Sequence, residues 1–205
     1  FEDRPDGRKR RELAIYLPPD NAGTRLEIGL DADAVVEAPT PWRNPKPVVF
    51  YCTSITQSGC ASRPGNGYVP ILGRMLNADV VNLGFSGNGL GEPELAELVA
   101  DIDASVYVLD YEANAGLERM RENLRPFCET IRAKHPETPL VLVSKVYFSK
   151  VNYLFKAGDV RRTGMELYRD VAAEMNAKYP GPTVHVDGWT LIGPEIGRAS
   201  CRERV

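Results

Sequence analysis

"VVFYCTSITQSGCASRPGNGY", residues 48–68, begins with β-branched and aromatic residues and turns within six positions into small and hydroxyl-bearing ones. Val48 to Tyr51 read as a buried strand, because an apolar run of this length with such side chains suits a pleated, covered surface. Thr53, Ser54, Thr56, Gln57 and Ser58 then stand where that strand ends. Comparable runs recur at 80–83, 105–109, 139–143 and 183–186. Between them, apolar residues at three- and four-residue steps predict helices over 66–77, 93–101, 115–134 and 160–178. Largely apolar rather than alternating strands, separated by helices, predict an α/β fold: a three-layer, doubly wound parallel sheet covered on both faces.

Upstream of this region the pattern differs. The segment over 11–36 alternates apolar and polar residues around "PPDNAG", which predicts a β-hairpin, the trailing edge of an all-β unit. Residues 40–47, "TPWRNPKP", carry three prolines and are expected to form a stiff linker. The expected division is a β remnant and linker over 1–46, an α/β domain over 47–195, and an unpatterned tail over 196–205 that reads as non-native. The chain begins at Phe1, which leaves a preceding secretory leader open, so no compartment is assigned; a secreted or periplasmic location is compatible.

Composition narrows the function. A net charge of −3 supplies no basic surface for a phosphate backbone, so nucleic acid is not an expected partner. No apolar run approaches the roughly 20 residues that span a bilayer. Cys52, Cys60, Cys128 and Cys201 match no zinc spacing and are too few for a disulfide scaffold. No metal or organic cofactor is implied.

In an open parallel sheet, ligands bind beyond the carboxyl ends of the strands. Three loops meet that description: the one after the first strand with Ser54, "NLGFSGNGLG" at 82–91, and "DYEAN" at 110–114. Together they offer a hydroxyl nucleophile, backbone donors from a glycine turn and a side-chain amide, which are the parts of an acyl-transfer site. A nucleotide site is the competing reading, since Asp110 follows the glycine turn at about the distance of a ribose-binding acid. Glu92 and Glu94 at the start of the following helix would repel a pyrophosphate, and the glycine spacing does not fit G-x-G-x-x-G.

"TSITQSGCASRPG" and "NLGFSGNG", with an asparagine after the third strand, resemble the SGNH (GDSL-type) hydrolase superfamily over about residues 48–195. The resemblance implies a flavodoxin-like sheet, Ser54 as nucleophile, and Gly87 and Asn114 as oxyanion-hole donors. It also implies a serine esterase or acylhydrolase acting through an acyl-enzyme on a small-molecule or carbohydrate ester. Two features depart from it. Cys52 stands where relatives usually carry glycine, and is expected to crowd the pocket or disturb a glycine-only backbone. The Asp-x-x-His block that provides the base is not found: Asp187 is followed three residues later by Thr190, and the two histidines, His135 and His185, read as structural. The fragment itself is therefore expected to be nearly inactive, and a non-catalytic carbohydrate-binding relative is the alternative. The loop over 145–159, aromatic and basic, is a candidate lining of the cleft but reads first as ordinary packing.

Overall fold

The computed structural model describes residues 11–18, 21–146 and 157–191. Five strands form one parallel sheet: β1 (Asn44–Thr53), β2 (Ala78–Phe85), β3 (Val106–Asp110), β4 (Leu140–Val143) and β5 (Thr183–Val186), in the order β2-β1-β3-β4-β5. The reversal of strand order after β2 places β1 inside the sheet, between β2 and β3, and makes the sheet doubly wound, as expected. The helices are α1 (Ser54–Gln57), α2 (Tyr68–Leu76), α3 (Pro93–Ala100), α4 (Glu112–Lys134) and α5 (Ala157–Lys178).

Side-chain alternation along the strands builds two cores. Val49, Tyr51, Tyr107, Leu109, Leu140 and Leu142 face the layer formed by α3, α4 and α5, where Val99, Leu124, Phe127, Ile131 and Val171 are buried. Val48, Phe50, Cys52, Val108 and Val143 face the other way, toward Val69 of α2. Because both faces are covered, the strands carry apolar side chains at consecutive positions. No helix among the described residues is long and apolar enough to cross a membrane.

Buried Arg132 fastens the amino-terminal end of the sheet. Its guanidinium donates to the carbonyls of Pro136 (3.3 Å), Thr138 (2.6 Å) and Pro182 (3.0 Å) and to Thr183 Oγ1 (2.7 Å). The α4–β4 and α5–β5 connections are thus tied by a charge with no carboxylate among these partners.

Two expectations are corrected. The hairpin over 11–36 is not formed: residues 11–18 and 21–43 contain no strand, and Leu13, Ile15, Leu17, Leu26, Ile28 and Leu30 are exposed. A two-stranded ribbon is marginal in water unless further strands or a helix cover its apolar side, and here most of the apolar side chains are left exposed. The expected linker over 40–47 ends earlier, because β1 starts at Asn44. Asn44 pairs with Ala78 and the ladder resumes at Val48 with Val80, so Pro45 and Pro47 fall in the irregular gap, where a missing N–H costs no ladder bond.

Candidate active site

The carboxyl end of the sheet is built around β1. Thr53 is its last residue and the N-cap of α1, its side chain accepting from the Ile55 N–H at 3.4 Å, so that Ser54 becomes the first residue of a single helical turn. The helix stops at Ser58, which adopts φ 71°. Gly84 of β2 allows α1 to approach: a Cβ there would lie 2.3 Å from the Gln57 nitrogen. Ser54 is half-buried.

The glycine turn follows β2. Thr53 pairs with Phe85 across the β1–β2 ladder, which puts residues 86–91 beside Ser54 at the same edge. Gly87 is exposed with φ +71°, and the Asn88 N–H closes the turn on the Phe85 carbonyl at 3.2 Å. Gly89, φ +72°, lies against β1 so closely that a Cβ would stand 2.5 Å from the Cys52 carbonyl oxygen. At that position glycine is required both by the backbone conformation and by the space.

Asn114 comes from the turn after β3. Residues 112–115 form one turn that Gly116 (φ 71°, ψ 166°) separates from the rest of α4, and this break holds Asn114 at the sheet edge rather than along the helix. Its amide nitrogen donates to the Phe85 carbonyl at 3.3 Å and to the Asn88 carbonyl. Asn114 is therefore bonded to residues on either side of Gly87, and the β1–β2 register brings the same turn to the edge where Ser54 follows β1.

Cys52 does not crowd this edge. It is a fully buried strand residue with ordinary extended backbone, packed in the α2-side core with its thiol 4.0 Å from the Val108 carbonyl. Burial, and next the Asp110 charge, raise its pKa well above the usual thiol value, so it is held as an inert thiol. The position has no need of glycine.

Beneath Ser54 lies a polar cluster that sequence reading missed. Thr56 Oγ1 lies 2.7 Å from the Tyr68 hydroxyl, which donates to Asp110 Oδ2 at 3.5 Å. Burial, reinforced by the neighbouring Glu112 charge, lifts the Asp110 pKa from 3.8 to about 7, with Tyr68 opposing. Glu112, also buried, accepts the Lys145 N–H at 2.8 Å and is itself raised by desolvation. Asp110 thus points into the protein rather than toward a ribose, which removes the main support for a nucleotide site. The spacing D-x-E after a strand was the available signal; burial of both acids depends on α2 and α5, which lie far away in sequence.

Neither histidine reaches Ser54. His135 caps the end of α4, at the opposite end of the sheet, with Nε2 2.8 Å from the Ala100 carbonyl oxygen. His185 belongs to β5, separated from β1 by β4 and β3, or about 14 Å at ordinary strand spacing. It stacks on Tyr168 and lies 3.2 Å from Ser144 Oγ; burial lowers its pKa despite Asp187 nearby. The 145–159 loop lies largely outside the described residues. No group of three or more metal-ligating side chains occurs among the described residues.

Residues 45–181 match the GDSL-like lipase/acylhydrolase family. The chain belongs to that family. A GDSL-like protein from Bacteroides ovatus ATCC 8483 superposes with a TM-score of 0.70 at 30% identity, covering 81% of this chain and 49% of its own. The salicylyl-acyltransferase SsfX3 from a tetracycline biosynthetic pathway gives 0.62 at 27% identity, covering 75% and 46%. A family two carbohydrate esterase from Clostridium thermocellum, solved with cellohexaose, shares the fold with a TM-score of 0.54 at 17% identity, covering 74% and 56%. The chain therefore spans about half the length of these structures. No curated protein matches the sequence.

Proposed function

We propose that this chain carries the nucleophile and oxyanion hole of a serine ester hydrolase acting on carboxylic esters, with acyl groups on carbohydrate among the candidate substrates. The observation that carries the reading is the meeting of three loops at the carboxyl edge: Ser54 directly follows the last residue of β1, and the Asn114 amide is bonded to the glycine turn that contains Gly87. In this reading the Ser54 oxygen attacks the ester carbonyl carbon while its proton passes to a base. The carbonyl oxygen, now an anion, accepts from the Ser54 and Gly87 amides and from Asn114. In the ligand-free geometry Asn114 spends its donors on the Phe85 and Asn88 carbonyls, so substrate must draw one of them away. Collapse expels the alcohol, which recovers the proton, and water then releases the acid from the acyl-enzyme.

The sequence contains two histidines, and both lie away from Ser54. Neither histidine is placed to take the Ser54 proton, so the chain alone is expected to show negligible turnover. The test is release of p-nitrophenol from p-nitrophenyl acetate by a longer protein that continues into an Asp-x-x-His segment, with Ser54→Ala beside it. Loss of turnover in the variant supports the reading; retained turnover defeats it. Sugar binding without turnover in that longer protein would favour the non-catalytic alternative.

A further inference from the structure

The nucleophile and the glycine turn are held in register by one strand. Tyr51, three residues before Ser54 on β1, points into the α3–α4 layer, where it is fully buried beside Phe127 (ring centroids 4.6 Å), Tyr111 (5.2 Å) and Phe85 (5.9 Å). Its hydroxyl accepts the Gly91 N–H at 3.0 Å and donates to Glu92 Oε2 at 2.5 Å. The same Glu92 oxygen accepts the Leu90 N–H at 3.0 Å, and Asn123 Nδ2 donates to the Leu90 carbonyl at 2.8 Å. Gly91, φ +82°, has no room for a side chain, since a Cβ would meet Tyr111 and Asn123 at 2.8 and 2.9 Å. The carboxyl-terminal half of the turn therefore rests on a tyrosine–glutamate pair, while Asn114 and the Phe85 carbonyl hold the amino-terminal half.

We propose that Tyr51 and Glu92 are positioning residues for the oxyanion hole, an inference that rests on the proposed roles of Ser54 and Gly87. Gly87 is exposed and has open space where a Cβ would stand, so in this proposal the direction of its N–H is set by the anchors at either end of the turn. One anchor is a hydroxyl on the strand that bears the nucleophile, which fixes the distance between attacking oxygen and donor. Preorganised donors are effective because they need no reorientation as charge develops. Desolvation alone would raise the Glu92 pKa; bonds from Tyr51 and from the Leu90 amide hold it below the ordinary carboxylate range, so it remains an anionic acceptor.

The test uses the 205-residue chain. Tyr51→Phe keeps the buried ring and removes only the hydroxyl. Its amide exchange, read by NMR, should quicken by about tenfold at Leu90 and Gly91 and stay unchanged in β3 and the body of α4, as expected for the loss of one net hydrogen bond. Glu92→Ala should reproduce the effect, and Glu92→Gln, whose amide oxygen can still accept, should restore protection. Phenylboronic acid supplies the functional readout: the Ser54 oxygen bonds to boron, its proton passes to buffer, and the tetrahedral boronate bears negative charge where the oxyanion would lie. Affinity should fall about tenfold in Tyr51→Phe. Unchanged exchange at both amides, or exchange quickened throughout the domain, overturns the inference. So does boronate binding that depends on Ser54 but is indifferent to Tyr51→Phe, whereas esterase turnover retained by Ser54→Ala in the longer protein defeats the nucleophile assignment itself.

Discussion

Replacing Asp110 by asparagine should flatten the dependence of stability on pH. The carboxyl is enclosed at the end of the central strand pair, facing the Tyr68 hydroxyl, with buried Glu112 two residues on, Cys52 beside it and Thr56 one hydrogen bond beyond. Desolvation first, and then the Glu112 charge, raise its pKa from 3.8 to about 7. Between those values the folded protein binds a proton that the unfolded chain has released. Because the unfolded state then carries fewer protons, stability falls as pH rises from about 4 to about 7 and levels off above. Roughly three units at about 1.4 kcal/mol each give an upper bound on the order of 4 kcal/mol. Between pH 5 and pH 8 about two of those units are lost, up to roughly 3 kcal/mol, which for a chain of this size lowers the melting temperature by up to about 10 °C. Asparagine has no proton to lose and can still accept from Tyr68, so Asp110→Asn should remove most of the decline and be the more stable form at pH 8. Thermal unfolding of both proteins across pH 4–9, at constant ionic strength, reads this directly. An undiminished decline in the variant would mean that Asp110 is charged in the fold and that another group sets the slope.

Two glycines in one turn should respond differently to alanine. Gly89→Ala meets the Cys52 carbonyl at 2.5 Å as well as the left-handed backbone, and should cost several kcal/mol in chemical denaturation, whereas Gly87→Ala has open space and should cost about 1–2 kcal/mol. Arg132→Met removes four donated bonds at the amino-terminal end of the sheet and leaves buried carbonyls without them, which should lower stability by about 3 kcal/mol without moving the carboxyl-edge loops; urea titration and exchange at residues 86–91 test both parts.

The parallel sheet was legible because its strands sit in the interior. Val48–Tyr51 and Leu140–Val143 are apolar at successive positions, a pattern that only a sheet covered on both faces explains, and the carboxyl-edge rule then pointed to Ser54, the glycine turn and Asn114. The hairpin was misread for a related reason. Alternation over 11–36 records which side of a ribbon would be buried, but a strand forms only against a partner surface, and that surface lies outside what local periodicity can report. The polar cluster beneath Ser54 was hidden in the same way. Asp110 and Tyr68 are 42 residues apart, and only the packing of α2 against β1 turns a strand-end acid into a buried one.

Cys52 shows how far a motif residue can be separated from the role usually attached to it. A glycine before a nucleophile suggests either a backbone that no side chain permits or a space that no side chain fits. Neither condition holds at this position, since the backbone is extended and the thiol packs in the α2-side core that also contains Val69 and Val108. The stringent requirements fall instead on Gly84 and Gly89, where a Cβ would strike the α1 backbone and the Cys52 carbonyl. Close approach of the glycine turn to β1 is thus secured by glycines in and after the neighbouring strand, and the residue two places before Ser54 is free to contribute to the core.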